Sequence, residues 1–148
     1  MILDKLNEFA DATALSTTGT ATLNIGNQID LSVASMDLGA INDIYCVVEV
    51  DTAITSTGSA TVDFRLVSGD AAAISTTGGA TVHITTGAIA KATLAAKYKV
   101  FAISLPRGTY KRYLGIQTVI GTSKLSAGKI NAYLTNNPTL VKAYARGD

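Results

Sequence analysis

The chain contains no tryptophan, one cysteine, one histidine and two prolines in 148 residues. Each scarcity narrows the function. A single cysteine, Cys46, cannot close an internal disulfide, and its place in an alternating apolar run marks a buried, inert thiol. The fold therefore relies on core packing, and a cytoplasm is the expected folding compartment. The lone histidine, His83, has no Cys, Asp or Glu beside it at ligand spacing, which argues against a metal site. Any Ser-His-Asp arrangement would have to use it, and no serine sits in a nucleophile elbow. Charge is scarce too: Asp, Glu, Lys and Arg make up 16% of the chain, against about 25% in an average soluble protein. The net charge of +1 gives no electrostatic reason to expect nucleic acid. The eleven acids are scattered, so spacing alone places no catalytic carboxylate pair. Gly78 and Gly79 lack the lysine and the following helix of a phosphate loop. No window approaches the ~20 apolar residues of a membrane span, and Asp4, Lys5 and Glu8 interrupt any export-signal core near the start. No enzyme constellation and no cofactor site emerges.

What the chain has in abundance is alternation. Between Ile44 and Val67, Ile44, Cys46, Val48 and Val50 alternate with Tyr45, Val47, Glu49 and Asp51. Val62, Phe64 and Leu66 then alternate with Thr61, Asp63 and Arg65. A two-residue period puts one set inside and the other toward water. The Thr/Ser/Gly stretch 52–59 joins them, and the whole reads as a β-hairpin with Glu49 and Asp51 facing Arg65. Similar strands are expected on both sides of Gly26-Asn27, at Ala80–Thr85 with Val82 and Ile84 inward and His83 outward, at Lys97–Leu105, at Tyr113–Thr122, and at Gly128–Thr135. One helical turn is expected within Gly87–Ala96. Pro106-Arg107-Gly108 and Asn136-Asn137-Pro138 are stops. About eight short strands without a long amphipathic helix predict an all-β antiparallel sandwich, a jelly roll given the irregular connections. Met1–Leu15, with Ile2, Leu3, Leu6 and Phe9, reads as an extended or short helical arm. Residues 16–137 form the jelly-roll domain and 138–148 a tail.

Several features carry a functional reading beside a plainer one. The segments 16–25, 55–64 and 75–84 repeat a Thr/Ser-Gly turn that enters a strand. This is either shared loop chemistry or three loops gathered at one rim. Lys97, Lys99, Arg107, Lys111 and Arg112, with Tyr98, Tyr110 and Tyr113, form a basic stretch whose plain reading is solvated strand ends. Arg146-Gly147-Asp148 spells an adhesion tripeptide, read as chance. On the nominal solvent phase, Tyr45, Val47, Asn131 and Tyr133 make a weakly charged patch. It is a candidate interface for a symmetric homodimer, unless loops or the arm cover it within one chain.

The segments MILDKLNEFADATAL, YCVVEVDTAITSTGSATVDFRL and LPRGTYKRYLGIQTVIG, followed by AGKINAYL, resemble the small capsid cement (decoration) proteins of tailed double-stranded DNA phages. The features in common are Asp4 and Phe9 near the start, the strand Val48–Ala53, and the turn and strand holding Pro106, Gly108, Arg112, Tyr113 and Leu114. The resemblance implies a jelly roll that pairs into dimers and clamps neighbouring major capsid protein subunits on the outer shell of a virion assembled in the host cytoplasm. It implies a structural protein without enzymatic activity, cofactor, nucleic acid or membrane, and Ile2, Leu3, Leu6 and Phe9 would then lie on an arm that straps the capsid. The alternative from another class is a carbohydrate-binding jelly roll of a tail fibre or cell surface. It would have to use Tyr45, Tyr98, Tyr110 and Tyr113, for want of tryptophan.

Overall fold

Val, Ile, Thr, Tyr and Phe fit a pleated, half-buried surface, and wherever they alternate the backbone is extended. The computed structural model describes residues 5–32 and 43–138. Within them the strands are β1 (Glu8–Ala14), β2 (Ala21–Asp30), β3 (Tyr45–Thr55), β4 (Thr61–Gly69), β5 (Thr81–Thr85), β6 (Ile89–Ala90), β7 (Lys99–Ser104), β8 (Tyr113–Gly121) and β9 (Ala127–Thr135). Single 3-10 turns span Lys5–Asn7 and Lys91–Thr93, the second within the stretch expected to hold a helical turn. One sheet runs β1-β9-β3-β7 and the other β2-β8-β4-β5, with β6 also beside β4. Every ladder is antiparallel. The protein is an all-β sandwich.

The ladders nest: β1 pairs with β9, β2 with β8, β3 with β7, and β4 with β5. Consequently β3 and β4 are not a hairpin. They lie in different sheets, and Ser56–Ala60 crosses between them. Both flanks of β3 are filled by β7 and β9, and both flanks of β4 by β8 and β5. Arg65 is thus remote in the ladder from Glu49 and Asp51, and it pairs with Asp63 on its own strand at 2.7 Å.

The inward phases meet as expected. Cys46, Val48, Val50, Ile130, Ala132 and Leu134 come from the first sheet, and Val62, Phe64, Leu66, Leu114, Ile116 and Ile120 from the second. Leu15, Leu94 and Leu125 also join the core, each at most 1% exposed. Cys46 is fully buried, and burial pushes its thiol well above the usual range, so it is inert in the folded chain. Thr118 takes a core position on β8, and its Oγ1 finds no hydrogen-bond partner among the described residues. Replacing Thr118 by Val keeps the shape and removes an unsatisfied hydroxyl. The variant is expected to be more stable by about 1–2 kcal/mol in urea unfolding; a loss of stability would show that the hydroxyl is satisfied after all.

The N-terminal stretch differs from an arm. β1 is an edge strand of the first sheet, and Phe9 and Leu15 are 0% exposed in the core. The sandwich therefore begins at Glu8, not at residue 16. Two register irregularities, around Phe9 and between Ala10 and Thr13, break the alternation, and Ala12 sits at φ 43°. Phe9 and Ala10 consequently both point inward. Of the residues assigned to a strapping arm, Phe9 is core and Leu6 is 69% exposed, while Ile2 and Leu3 lie outside the described residues. Residues 33–42, and all of the tail beyond Pro138, also lie outside them.

Candidate functional site

Three surfaces hold the residues singled out by sequence. The first is the outer face of the β1-β9-β3-β7 sheet. Val47 faces Tyr133 across β3 and β9, Glu49 faces Asn131, and Tyr45 faces Thr135. The rows are those expected, but the face is not open. Val47 is 0% and Tyr133 7% exposed within a single chain, and Glu49 and Thr135 are also buried. Asn131 uses its Oδ1 to accept the Ala12 amide at 2.7 Å, bracing β1 against β9. Only Tyr45 and Asn131 remain half-buried. The four residues therefore do not form an accessible dimer patch, because this face is closed within the subunit. Tyr133 pays for that closure: its hydroxyl has no partner among the described residues. Burial, and then the charge of Glu49, pushes its pKa up to about 12.

The second surface is the rim where β1, β3 and β8 end. Here two of the three Thr/Ser-Gly loops meet. Thr17 donates its amide to Leu125 O at 3.1 Å and accepts the Leu125 amide on Oγ1 at 3.0 Å. Ser56 donates its hydroxyl to Lys124 O at 2.6 Å. Ser16, Thr17, Thr18, Thr57, Lys124, Leu125 and Ser126 surround an open groove of about 370 Å³, rich in hydroxyls. The third loop does not join them. Its Ser75 O accepts from Gln117 and Ile74 O accepts from Asn24, at 2.9 and 2.7 Å, which fixes it to the other sheet. A smaller groove of about 240 Å³ lies beside Lys5, Leu6, Glu8 and Asn27–Asp30. None of Tyr45, Tyr98, Tyr110 and Tyr113 lines either groove, so neither offers a sugar ring an aromatic platform.

The third is the basic stretch. Lys97 lies 3.9 Å from Asp51, Lys111 2.8 Å from Asp70, and Arg112 2.9 Å from Asp30. Arg112 grips Asp30 with two nitrogens while lying over the Tyr113 ring at 5.0 Å. The guanidinium, with help from Ser32, holds the Asp30 carboxyl well below the usual carboxylate range. These cations fasten strand ends to neighbouring segments.

The sequence matches the family described as Bbp16 over residues 9–134. The chain belongs to the Bbp16 family. The match begins at Phe9 inside β1 and ends at Leu134 inside β9, so it covers the sandwich from its first strand to its last. No curated protein matches the chain. The matched range thus takes in the core, the rim and the basic stretch alike.

Among the described residues no group of three or more His, Cys, Asp or Glu side chains gathers as a metal site would, and no helix is long and apolar enough to cross a membrane. One polar cluster was not visible in the sequence. Ser68 is fully buried, and its Oγ lies 2.7 Å from His83 Nε2. His83 was expected to face solvent on a regular strand. Instead Leu66 pairs with Ile84 and Val67 with Val82, leaving His83 as the extra residue of a bulge. The bulge turns its ring toward Ser68 and leaves Val82 exposed rather than inward.

Proposed function

We propose that this Bbp16-family chain is a structural virion protein that cements the outer capsid shell of a tailed phage by bridging major capsid protein subunits. The observation that carries this reading is the likeness to capsid cement proteins at Val48–Ala53, Pro106–Leu114 and Ala127–Leu134. Those segments are the interior strands β3, β8 and β9 and the turn leading into β8. The nesting of first strand with last, second with second-last, and so inward, supports reading the sandwich as a jelly roll. The low charge supports a surface that works against other protein.

In this reading the mechanism is avidity. Two copies pair, and a dimer that touches two shell subunits makes its second contact intramolecular. The dimer contact falls on the outer edge of β7 in preference to the closed Val47–Tyr133 face. That edge strand displays Ile103 at 44% exposure, and exposed edges recruit partners.

Mass spectrometry of purified virions of the phage that encodes the chain tests the reading. A copy number near that of the major shell protein is expected, and a few copies per particle would move the chain to a tail or overturn the assignment. Light scattering that finds a monomer at every concentration would remove the bivalent part.

A further inference from the structure

We propose that Ser68, His83, Tyr110 and Lys111 form an acid-released latch that holds the turn between β7 and β8 against the β4-β5 edge of the sandwich. The latch ties three segments distant in sequence. Ser68 ends the inward phase of β4, His83 is the bulged residue of β5, and Tyr110 and Lys111 belong to the turn that follows Leu105.

Proton positions follow from the contacts. The Lys111 amide donates to Ser68 Oγ at 3.1 Å. The Ser68 hydroxyl, fully buried, then points its hydrogen at His83 Nε2, 2.7 Å away. With no other acceptor for the Ser68 hydrogen among the described residues, the latch takes His83 as the neutral ring with its proton on Nδ1. Its ring stacks on Tyr110 with centroids 4.2 Å apart and planes 29° apart. Tyr110 donates its hydroxyl to Pro106 O, four residues upstream, and packs on the core. Cys46 lies close enough behind it that both burial and that thiol raise the Tyr110 pKa. Lys111 completes the closure with its ammonium on Asp70 at 2.8 Å and on Gly79 O at 3.4 Å.

Protonating His83 undoes this arrangement. Nε2–H would face the Ser68 oxygen, and the Ser68 hydrogen would be left buried without an acceptor. No free carboxylate compensates among the described residues packed here. Asp70 is committed to Lys111, and Asp63 is committed to Arg65 at 2.7 Å on the outer phase of β4. Tyr110 and Cys46 stay neutral, and β5 contributes only threonines beside His83. Burial accordingly lowers the His83 pKa. The neutral latch is whole above the ordinary histidine value of about 6.5. Its stability is lost as the pH falls from there to the lowered folded value, and it is constant below that.

Tyr110 packs on the core cluster that holds Cys46, so opening the turn is expected to loosen the cover of this single thiol, and its reactivity reads the latch. The full chain is treated with 4,4′-dithiodipyridine between pH 7 and pH 5, and each rate is divided by that of the urea-unfolded chain at the same pH. The expected result is a severalfold rise on acidification, in the direction set by the lowered His83 pKa, and a flat profile in His83→Gln, which still accepts from Ser68. A flat wild type, or an equal rise in His83→Gln, overturns the proposal. Proton NMR of the single imidazole checks the wild type independently of how the variant folds. Titration below pH 6.5, with Tyr110 ring resonances moving at the same midpoint, is expected, and titration at or above 6.5 overturns the latch.

Discussion

Replacing Phe64 by Ala is expected to lower stability by about 3–5 kcal/mol, a large share of what a domain of this size possesses. Phe64 is 0% exposed on β4, between β8 and β5, with its ring in the central cluster. Its backbone is fixed on the other side, for its amide donates to Thr86 Oγ1 and its carbonyl accepts the Thr86 amide, both at 3.0 Å. The strand therefore has little freedom to move inward and fill the space left by the ring, which places the cost at the upper end. A fall of roughly 10 °C in melting temperature is the readout. An unchanged melting temperature would mean that the ring does not lie between the sheets.

The second large effect is expected at Gly26. This residue sits at φ 61° in the irregular stretch of β2 between Ile25 and Ile29. A Cβ there would lie 1.9 Å from Phe9 O and 2.9 Å from Phe9 C, both backbone atoms. Alanine would pay twice, once for left-handed backbone and once for pushing β1 away from β2. Gly26→Ala is expected to lose about 2–5 kcal/mol by denaturant unfolding. The same substitution at Gly78, also at positive φ but with nothing within 4 Å of its Cβ, carries only the backbone part. Equal losses at the two sites would show that the contact with Phe9 is not tight.

Alternation revealed where β3, β4, β8 and β9 run and which of their side chains face inward, because burial on one face imposes a strict period. It did not reveal partners. A Thr/Ser/Gly connection such as 52–59 serves a hairpin and a crossover between sheets equally well, so it does not tell that β3 and β4 lie in different sheets. Nor does alternation show whether an outward face is wet. Val47 and Tyr133 have the outward phase and are buried all the same. Bulges hide most of all. One extra residue at His83 reverses Val82, and two irregularities in β1 turn a core strand into something resembling an arm. The candidate latch depends on such a bulge, so no spacing of Ser68, His83 and Tyr110 announces it.

The nested ladders also govern the order in which the protein is built. Glu8 is opposite Tyr133, and β9 lies between β1 and β3. Until β9 is made, β1 has no ladder partner in its own sheet, and β3 has at least one bare flank. Folding must therefore wait for the late strand, and the long loops closed by β1·β9 and β2·β8 contacts make the search slow, in the range of milliseconds to seconds. Until then the edges of β1 and β3 are exposed to every other nascent copy.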